Sequence, residues 1–252
     1  MKKHYYFIVE GVHDTAAIGR FLKQFNLSRI QRIEKLDPFW ERTIPKSFPH
    51  EGDLLKRVPV PMYFQNDVIS VAIQTAGSDS LIAATFNGLV NIDYDELSGI
   101  AVFCDADEKV AEERFEQVYQ SLLKSSEYEM KVFIENVQFN RIKHHPTKFG
   151  IFVFPNNEDS GTLEQLLLEG GEAAYPDLLH SAKKYVDEVS AIYKRKWTQS
   201  SEVKVLFGVA ANILKPGKAN QVSIQDNDWI GTKTIEQTNQ IKLKKFLSDI
   251  LQ

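Results

Sequence analysis

The sequence predicts an α/β protein: a mainly parallel sheet flanked by helices, followed by a helical C-terminal part. Three observations lead there. Short apolar runs rich in aromatic and β-branched residues recur at residues 5–9, 68–73, 99–104 and 148–154, as buried strands do. Segments with apolar residues at helical spacing stand between them, and such alternation is the pattern of a parallel sheet. After Ala173 the strand pattern stops and only helical periodicity remains.

Taken in order, residues 5–9 read as a strand closed by Glu10 and Gly11. Asp14 is placed to cap a helix running to about residue 26, with Ala17, Ile18, Phe21, Leu22 and Phe25 at helical spacing. Residues 36–61 differ in character. They hold Pro38, Pro45, Pro49, Pro59 and Pro61 beside Phe39, Trp40 and Phe48, which predicts an ordered surface insertion rather than a flexible linker. Residues 68–73 form a second strand, and Gly77-Ser78-Asp79 opens a helix through Leu81, Ile82, Thr85 and Leu89. Residues 99–104 are apolar without a break, as in a central parallel strand. Residues 108–124 read as an amphipathic helix, 131–134 as an edge strand, 148–154 as another central strand and 162–169 as a short helix. Further helices are expected at 175–193, 202–213 and 242–251. The expected organisation is a core over residues 1–170 with a helical extension, 171–252, packed on it.

The 252-residue length suits one large domain with a sizeable core. The single cysteine, Cys104, rules out an intrachain disulfide and a cysteine-based zinc site, and its place in an apolar run suits a buried structural thiol. Lys2-Lys3 precedes only a short apolar run that soon reaches Glu10, so no secretory signal is read. No apolar stretch approaches the roughly 18 residues of a membrane span, and a cytoplasmic protein without a membrane partner is expected. A net charge of −4 argues against coating nucleic acid by bulk charge, yet is compatible with an enzyme that uses a local basic patch.

Three acidic motifs carry the chemistry. Glu10 ends the first apolar run, and Asp105 and Asp107 end the run of residues 100–104. Glu164 follows the run Ile151-Phe152-Val153-Phe154 through a turn that contains Ser160 and Gly161. Carboxylates at the carboxyl ends of buried strands stand where open α/β sheets build their sites, and several together call for a cation among them. Each motif alone also has a plain structural reading. Asp-x-Asp can be a solvated turn before a helix, Asp14 a cap, and Glu164 an N3 residue behind an N-cap at Gly161.

The ordered set, Glu10-Gly11-x-x-Asp14, then Asp105-x-Asp107, then Ser160-Gly161-Thr162-Leu163-Glu164, resembles the TOPRIM domain. That domain is shared by topoisomerases, bacterial primases and nucleases of the overcoming-lysogenization-defect (OLD) type. The third motif is similar to that nuclease branch and to a stand-alone TOPRIM-like family of unknown function. The likeness covers about residues 3–169, interrupted by the proline-aromatic insertion. It implies a TOPRIM-like, Rossmann-like core and a divalent cation, Mg²⁺ or Mn²⁺. Glu10, Asp105 and Asp107 would be metal ligands and catalytic groups. Asp14, Ser160 and Glu164 would complete a second metal position. A lysine from the later helices is implied as well: Lys204 is the first candidate, with Lys215 and Lys218 as alternatives. Hard oxygen donors suit such ions, and two of them would serve in-line phosphodiester displacement.

Departures from the family pattern are the long interval between Glu10 and Asp105, and His13 where small or basic residues are frequent. The nuclease branch usually carries an ATPase; this sequence has no Gly-x-x-x-x-Gly-Lys-Ser/Thr, and Pro216-Gly217-Lys218 is not one. An ATPase or other protein partner would therefore be a separate chain. The expected function is metal-dependent phosphodiester hydrolysis on nucleic acid. The alternatives are a non-catalytic metal- or nucleotide-binding module that regulates a partner, and nucleotidyl or phosphoryl transfer on a small substrate. The stretch Tyr193-Lys194-Arg195-Lys196-Trp197 reads either as a phosphate-tracking segment with a stacking aromatic or as a solvated helix end. His144-His145 read as solvated loop residues.

Overall fold

The computed structural model describes residues 2–46, 60–77 and 79–252. Six strands form one sheet: β1 (Lys3–Val9), β2 (Ser28–Ile30), β3 (Met62–Gln65), β4 (Ile69–Thr75), β5 (Leu97–Asp105) and β6 (Lys148–Phe154), in the order β2-β3-β4-β1-β5-β6. The four strands β4, β1, β5 and β6 run parallel, and β2 and β3 add to them antiparallel. The α/β class and mainly parallel sheet are as the alternating pattern predicts.

Period-two alternation along β1 sends Tyr5, Phe7 and Val9 to one face and Tyr6 and Ile8 to the other. The first face is covered by α1 (Val12–Gln24), α5 (Leu163–Ala174) and the C-terminal helices α6 (Pro176–Glu188), α8 (Gln199–Leu214), α9 (Asn220–Asp226) and α10 (Thr238–Leu251). Phe246 of α10 packs on Phe103 and Phe152, ring centroids 5.7 and 5.3 Å away. The second face is covered by α2 (Asp79–Asn87), α3 (Ala111–Ser125) and α4 (Tyr128–Ile134). A short helix, α7 (Ala191–Lys194), links α6 to α8. No helix among the described residues is long and apolar enough to cross a membrane.

The chain leaves β1 toward β4 on one side and returns to β5 on the other. The carboxyl ends of β1 and β5 therefore adjoin at a reversal of strand order, with Val9 opposite Phe103. Open sheets part their flanking loops at such a point and leave a crevice there.

Four expectations are corrected. Residues 131–134 belong to α4 rather than to an edge strand: Met130, Phe133 and Ile134 are buried at helical spacing. Strand β6 is an edge strand, not a central one. Both its faces are covered, which gives the unbroken apolar run, and Lys143 exchanges two backbone hydrogen bonds with Phe149 on its open side. The strands β2 and β3 were not anticipated, because β2 is three mostly exposed residues without alternation. The helix expected over 175–193 breaks at Val189, whose backbone is extended, into α6 and α7.

The insertion is anchored at its start. Residues Pro38–Thr43 form a 3₁₀ helix whose Trp40 is fully buried against Tyr6 and Tyr63, and Phe39 stacks on His4 with centroids 4.0 Å apart. The later part, residues 47–59 with Phe48, Pro49 and Pro59, lies outside the described residues. Trp40 Nε1 donates to Ser70 Oγ at 2.8 Å, and both residues are inaccessible to solvent. Removing that acceptor leaves a buried indole N–H unmatched, which costs about 1–3 kcal/mol. Ser70→Ala is therefore expected to lower the denaturant midpoint with an unchanged slope; an unaltered midpoint would show that the insertion does not lean on this bond.

Candidate active site

The crevice at the carboxyl ends of β1 and β5 gathers most of the acidic residues expected there. Glu10 follows β1 directly. Its Oε2 accepts from the backbone N–H of Asp105 (3.0 Å), and its Oε1 accepts from Arg114 Nη2 (2.7 Å). Arg114, on α3, also donates through Nε to the Asp105 carbonyl (2.8 Å). One buried guanidinium thus ties the end of β1 to the end of β5.

Asp14 is the third residue of α1, behind an N-cap at Gly11, so the expected cap role falls to Gly11 with Asp14 closing the turn. Its Oδ2 accepts from Gly11 N–H at 2.6 Å, and the side chain is buried. Asp105 ends β5. Its Oδ1 accepts from Leu163 N–H at 2.8 Å, an orphan donor at the start of α5. Asp107 takes a left-handed backbone (φ 52°) and donates its N–H to the Gly161 carbonyl at 2.8 Å, which joins the second and third acidic segments. Glu164 is the second residue of α5, behind an N-cap at Thr162 rather than at Gly161; the N3 position belongs to Gln165. Its Oε1 lies 3.2 Å from His13 Nδ1, and its Oε2 is buried with no hydrogen-bond partner among the described residues.

Of the three lysine candidates, Lys204 on α8 reaches this place. Its Nζ stands 3.4 Å from Asp105 Oδ2 and 3.6 Å from Asp107 Oδ1. Lys215 instead pairs with Asp226 at 2.9 Å, and Lys218 has no ion pair among the described residues. Ser160 sits beside Gly161 in the same turn. His144 and His145 are exposed, as read from the sequence.

The electrostatics follow from crowding carboxylates in a buried place. Burial, then the charges of Asp105, Glu10 and Glu164, push the Asp14 carboxyl well above the usual range, against the Gly11 N–H. Asp105 is pushed up to about 6 by burial and Glu164; Lys204 and the Leu163 N–H oppose the shift. Burial also raises Glu164, but the hydrogen bond from His13 and the start of α5, with the charge of Lys204, outweigh it and the net shift is downward. Burial lowers Lys204, and the attraction of Asp105, Glu164 and Asp107 reverses this, so its ammonium is held charged.

Sequence reasoning missed Arg114, the role of His13, and Glu108, whose Oε1 accepts from Ser200 N–H at 3.1 Å and fastens the start of α8 to the Asp107 turn. A signal for Arg114 was present. It stands on the same helical stripe as Ala111, Phe115, Val118 and Leu122, where a cation has no place unless it is paired.

A family model described as "Protein of unknown function (DUF3226)" matches residues 4–252. Among solved structures, a hypothetical protein from Pyrococcus horikoshii OT3 is similar at 19% identity with a TM-score of 0.58, over 98% of this chain and 95% of that one. The C-terminal region of the OLD protein from Xanthomonas campestris pv. campestris matches in two structures. The iodine-phased one has 10% identity and a TM-score of 0.43, over 98% of this chain and 95% of that one. The platinum-phased one has 11% and 0.44, over 99% and 94%. No curated protein matches significantly.

Proposed function

The chain belongs to the DUF3226 family, and we propose that it is a TOPRIM-like, divalent-metal-dependent phosphodiester hydrolase, or the nuclease subunit of an assembly, acting on nucleic acid. One observation carries this reading: Asp14 and Glu164 are buried and Asp105 is only slightly exposed, near enough for their charges to act on one another, at a reversal of strand order with the charged Lys204 beside Asp105. A fold has no structural need for mutually repelling carboxylates in its interior, so their presence favours a function that uses them.

Whether these residues suit Mg²⁺ or Mn²⁺ is answered by their donors. All are hard oxygens, and the Glu164 Oε2 atom is buried without a partner among the described residues, as a ligand awaiting a cation would be. No three such side chains among the described residues are already gathered at metal-holding spacing. Lys204 instead stands between Asp105 and Asp107. We assign Asp105, Asp107 and Glu164 as the holding set, with Asp14 and Ser160 at its margin and Glu10 behind it. A cation bound there supplies Lewis-acid polarisation of a phosphoryl oxygen and a more acidic water.

The chain's own groups have separable tasks. Lys204 is half-exposed and charged, and in this reading it would meet a non-bridging phosphate oxygen. His13 holds the Glu164 carboxylate in one orientation. Arg114 fixes Glu10 and the end of β5, so the Asp105 carboxylate is presented on a rigid element. Incubation of the pure protein with plasmid, single-stranded DNA and RNA, each with Mg²⁺ or Mn²⁺, tests the reading. Cleavage is expected and should vanish in Asp105→Ala; cleavage of equal strength in that variant overturns the assignment.

A second reading draws on Glu10. Both its oxygens are engaged, by Arg114 and by the Asp105 N–H, which suits a scaffold carboxylate in a non-catalytic metal- or nucleotide-binding module that regulates a separate protein, such as an ATPase. That reading expects calorimetric metal binding with no turnover on any polynucleotide.

A further inference from the structure

We propose that residues 193–197 form a binding strip for single-stranded nucleic acid at the entrance to the candidate active site; this deepens the catalytic reading and rests on it. The strip is laid out by α7 and the turn after it. Tyr193 is 74% exposed and Ile192 56% exposed, which is unusual for side chains of this size side by side. Arg195 and Lys196 are exposed and have no ion pair among the described residues. Trp197 is half-buried, with Lys194 Nζ 5.7 Å from its ring centroid, and the same ammonium donates to the Asp187 carbonyl at 3.2 Å.

Its position is set by two contacts. Thr198 caps α8, and Ser200 N–H is held by Glu108, the residue after Asp107. Four residues further along α8, about 6 Å by helical rise, Lys204 meets Asp105 and Asp107. The strip and the carboxylates are thus two ends of one short, fastened segment. A chain lying on the cations of Lys194–Lys196 and continuing toward Lys204 passes two carboxylates, Glu202 of that segment and Glu108, whose Oε1 accepts from Ser200 N–H.

The composition selects the occupant. Three successive cations in a chain of net charge −4 concentrate positive potential in one place, which suits a polyanion. A solvated helix end does not account for them, because α7 has four residues and offers little C-terminal dipole. Exposed Tyr193 and half-buried Trp197 offer ring surface on which unpaired bases stack, whereas in a duplex the base faces are already covered by their neighbours.

Fluorescence anisotropy with a labelled single-stranded oligonucleotide, on the full chain without divalent ions, tests this. Arg195→Glu with Lys196→Glu is expected to weaken binding by about tenfold or more and to reduce the slope of log affinity against log salt by about 1.4. Trp197→Ala is expected to weaken it by about tenfold at all salt concentrations. Unchanged affinity in both variants, or no binding by the unaltered chain, overturns the proposal, and equal affinity for duplex overturns the single-strand assignment. Hydrolysis of bis(4-nitrophenyl) phosphate by the unaltered chain with Mn²⁺ is scored in parallel. Strip-dependent binding without any hydrolysis defeats the catalytic reading alone, and hydrolysis with strip-independent binding defeats the strip alone.

Discussion

Arg114→Leu will lower the melting temperature by roughly 6–12 °C, the largest loss expected from one substitution in the site. The guanidinium is nearly buried and donates to Glu10 Oε1 at 2.7 Å and to the Asp105 carbonyl at 2.8 Å. Leucine fills much of the space but leaves a partly buried carboxylate and a strand-end carbonyl facing it. Breaking a buried pair from one side costs about 3–5 kcal/mol, and Glu10 retains some access to water, which favours the lower end. In a chain of this size each kcal/mol moves the midpoint by about 2–4 °C. Arg114→Lys keeps the charge but offers no planar fork for two acceptors, so its midpoint should fall between the two. Thermal unfolding followed by circular dichroism reads all three proteins. A leucine variant as stable as the unaltered chain would show that Glu10 relaxes into solvent and that the clamp is not structural.

Why Arg114 escaped a reading of the sequence, while the carboxylates did not, lies in the range of the interactions. The acidic residues follow apolar runs in the chain itself, so local pattern suffices to place Glu10, Asp105 and Asp107 at strand ends. The strands β1, β4, β5 and β6 are legible for the same reason: burial on both faces imprints itself on every residue. Arg114 acquires its meaning only when α3 lies against the mouth of β5, a contact between residues 104 apart with Glu10. Likewise the short strand β2 exists because β3 offers it an edge, not because of its own three residues. The segment 131–134 was misread since four apolar or amphipathic residues fit either period, and only the burial of Met130 beyond its boundary settles it as a helix. Lys204 was one of three lysines in reach by sequence, and it is the packing of α8 against the Asp107 turn, through Glu108 and Ser200, that brings it to the acids.

Asp105→Asn should do two opposite things at once: abolish cleavage and raise the stability of the metal-free protein. The Asp105 carboxyl is held at about 6, above its ordinary value of 3.8, by burial first and then by the charge of Glu164. A carboxyl that binds its proton more tightly in the folded state contributes stability that is complete below pH 3.8. That contribution is lost as the pH rises through about 6. Asp14 is shifted in the same direction and adds to the trend, whereas Glu164, shifted downward, opposes it only under more acidic conditions. The metal-free protein is therefore expected to gain stability between pH 7.5 and 5.5. Asparagine removes the ionising group while its Oδ1 still accepts from Leu163 N–H; its amide facing Lys204 offsets part of the benefit. A gain of about 1–3 kcal/mol at pH 7.5 is expected, with a flatter pH profile. Divalent cations act the other way round. Mg²⁺ or Mn²⁺ should raise the midpoint of the unaltered chain by binding the folded state and should leave the asparagine variant nearly unmoved. Melting curves of both proteins at pH 5.5 and 7.5, with and without cation, read every term. A destabilised variant, or one whose midpoint still climbs on acidification as the unaltered chain's does, would mean that Asp105 carries no stored repulsion, and the observation on which the catalytic proposal stands would be gone.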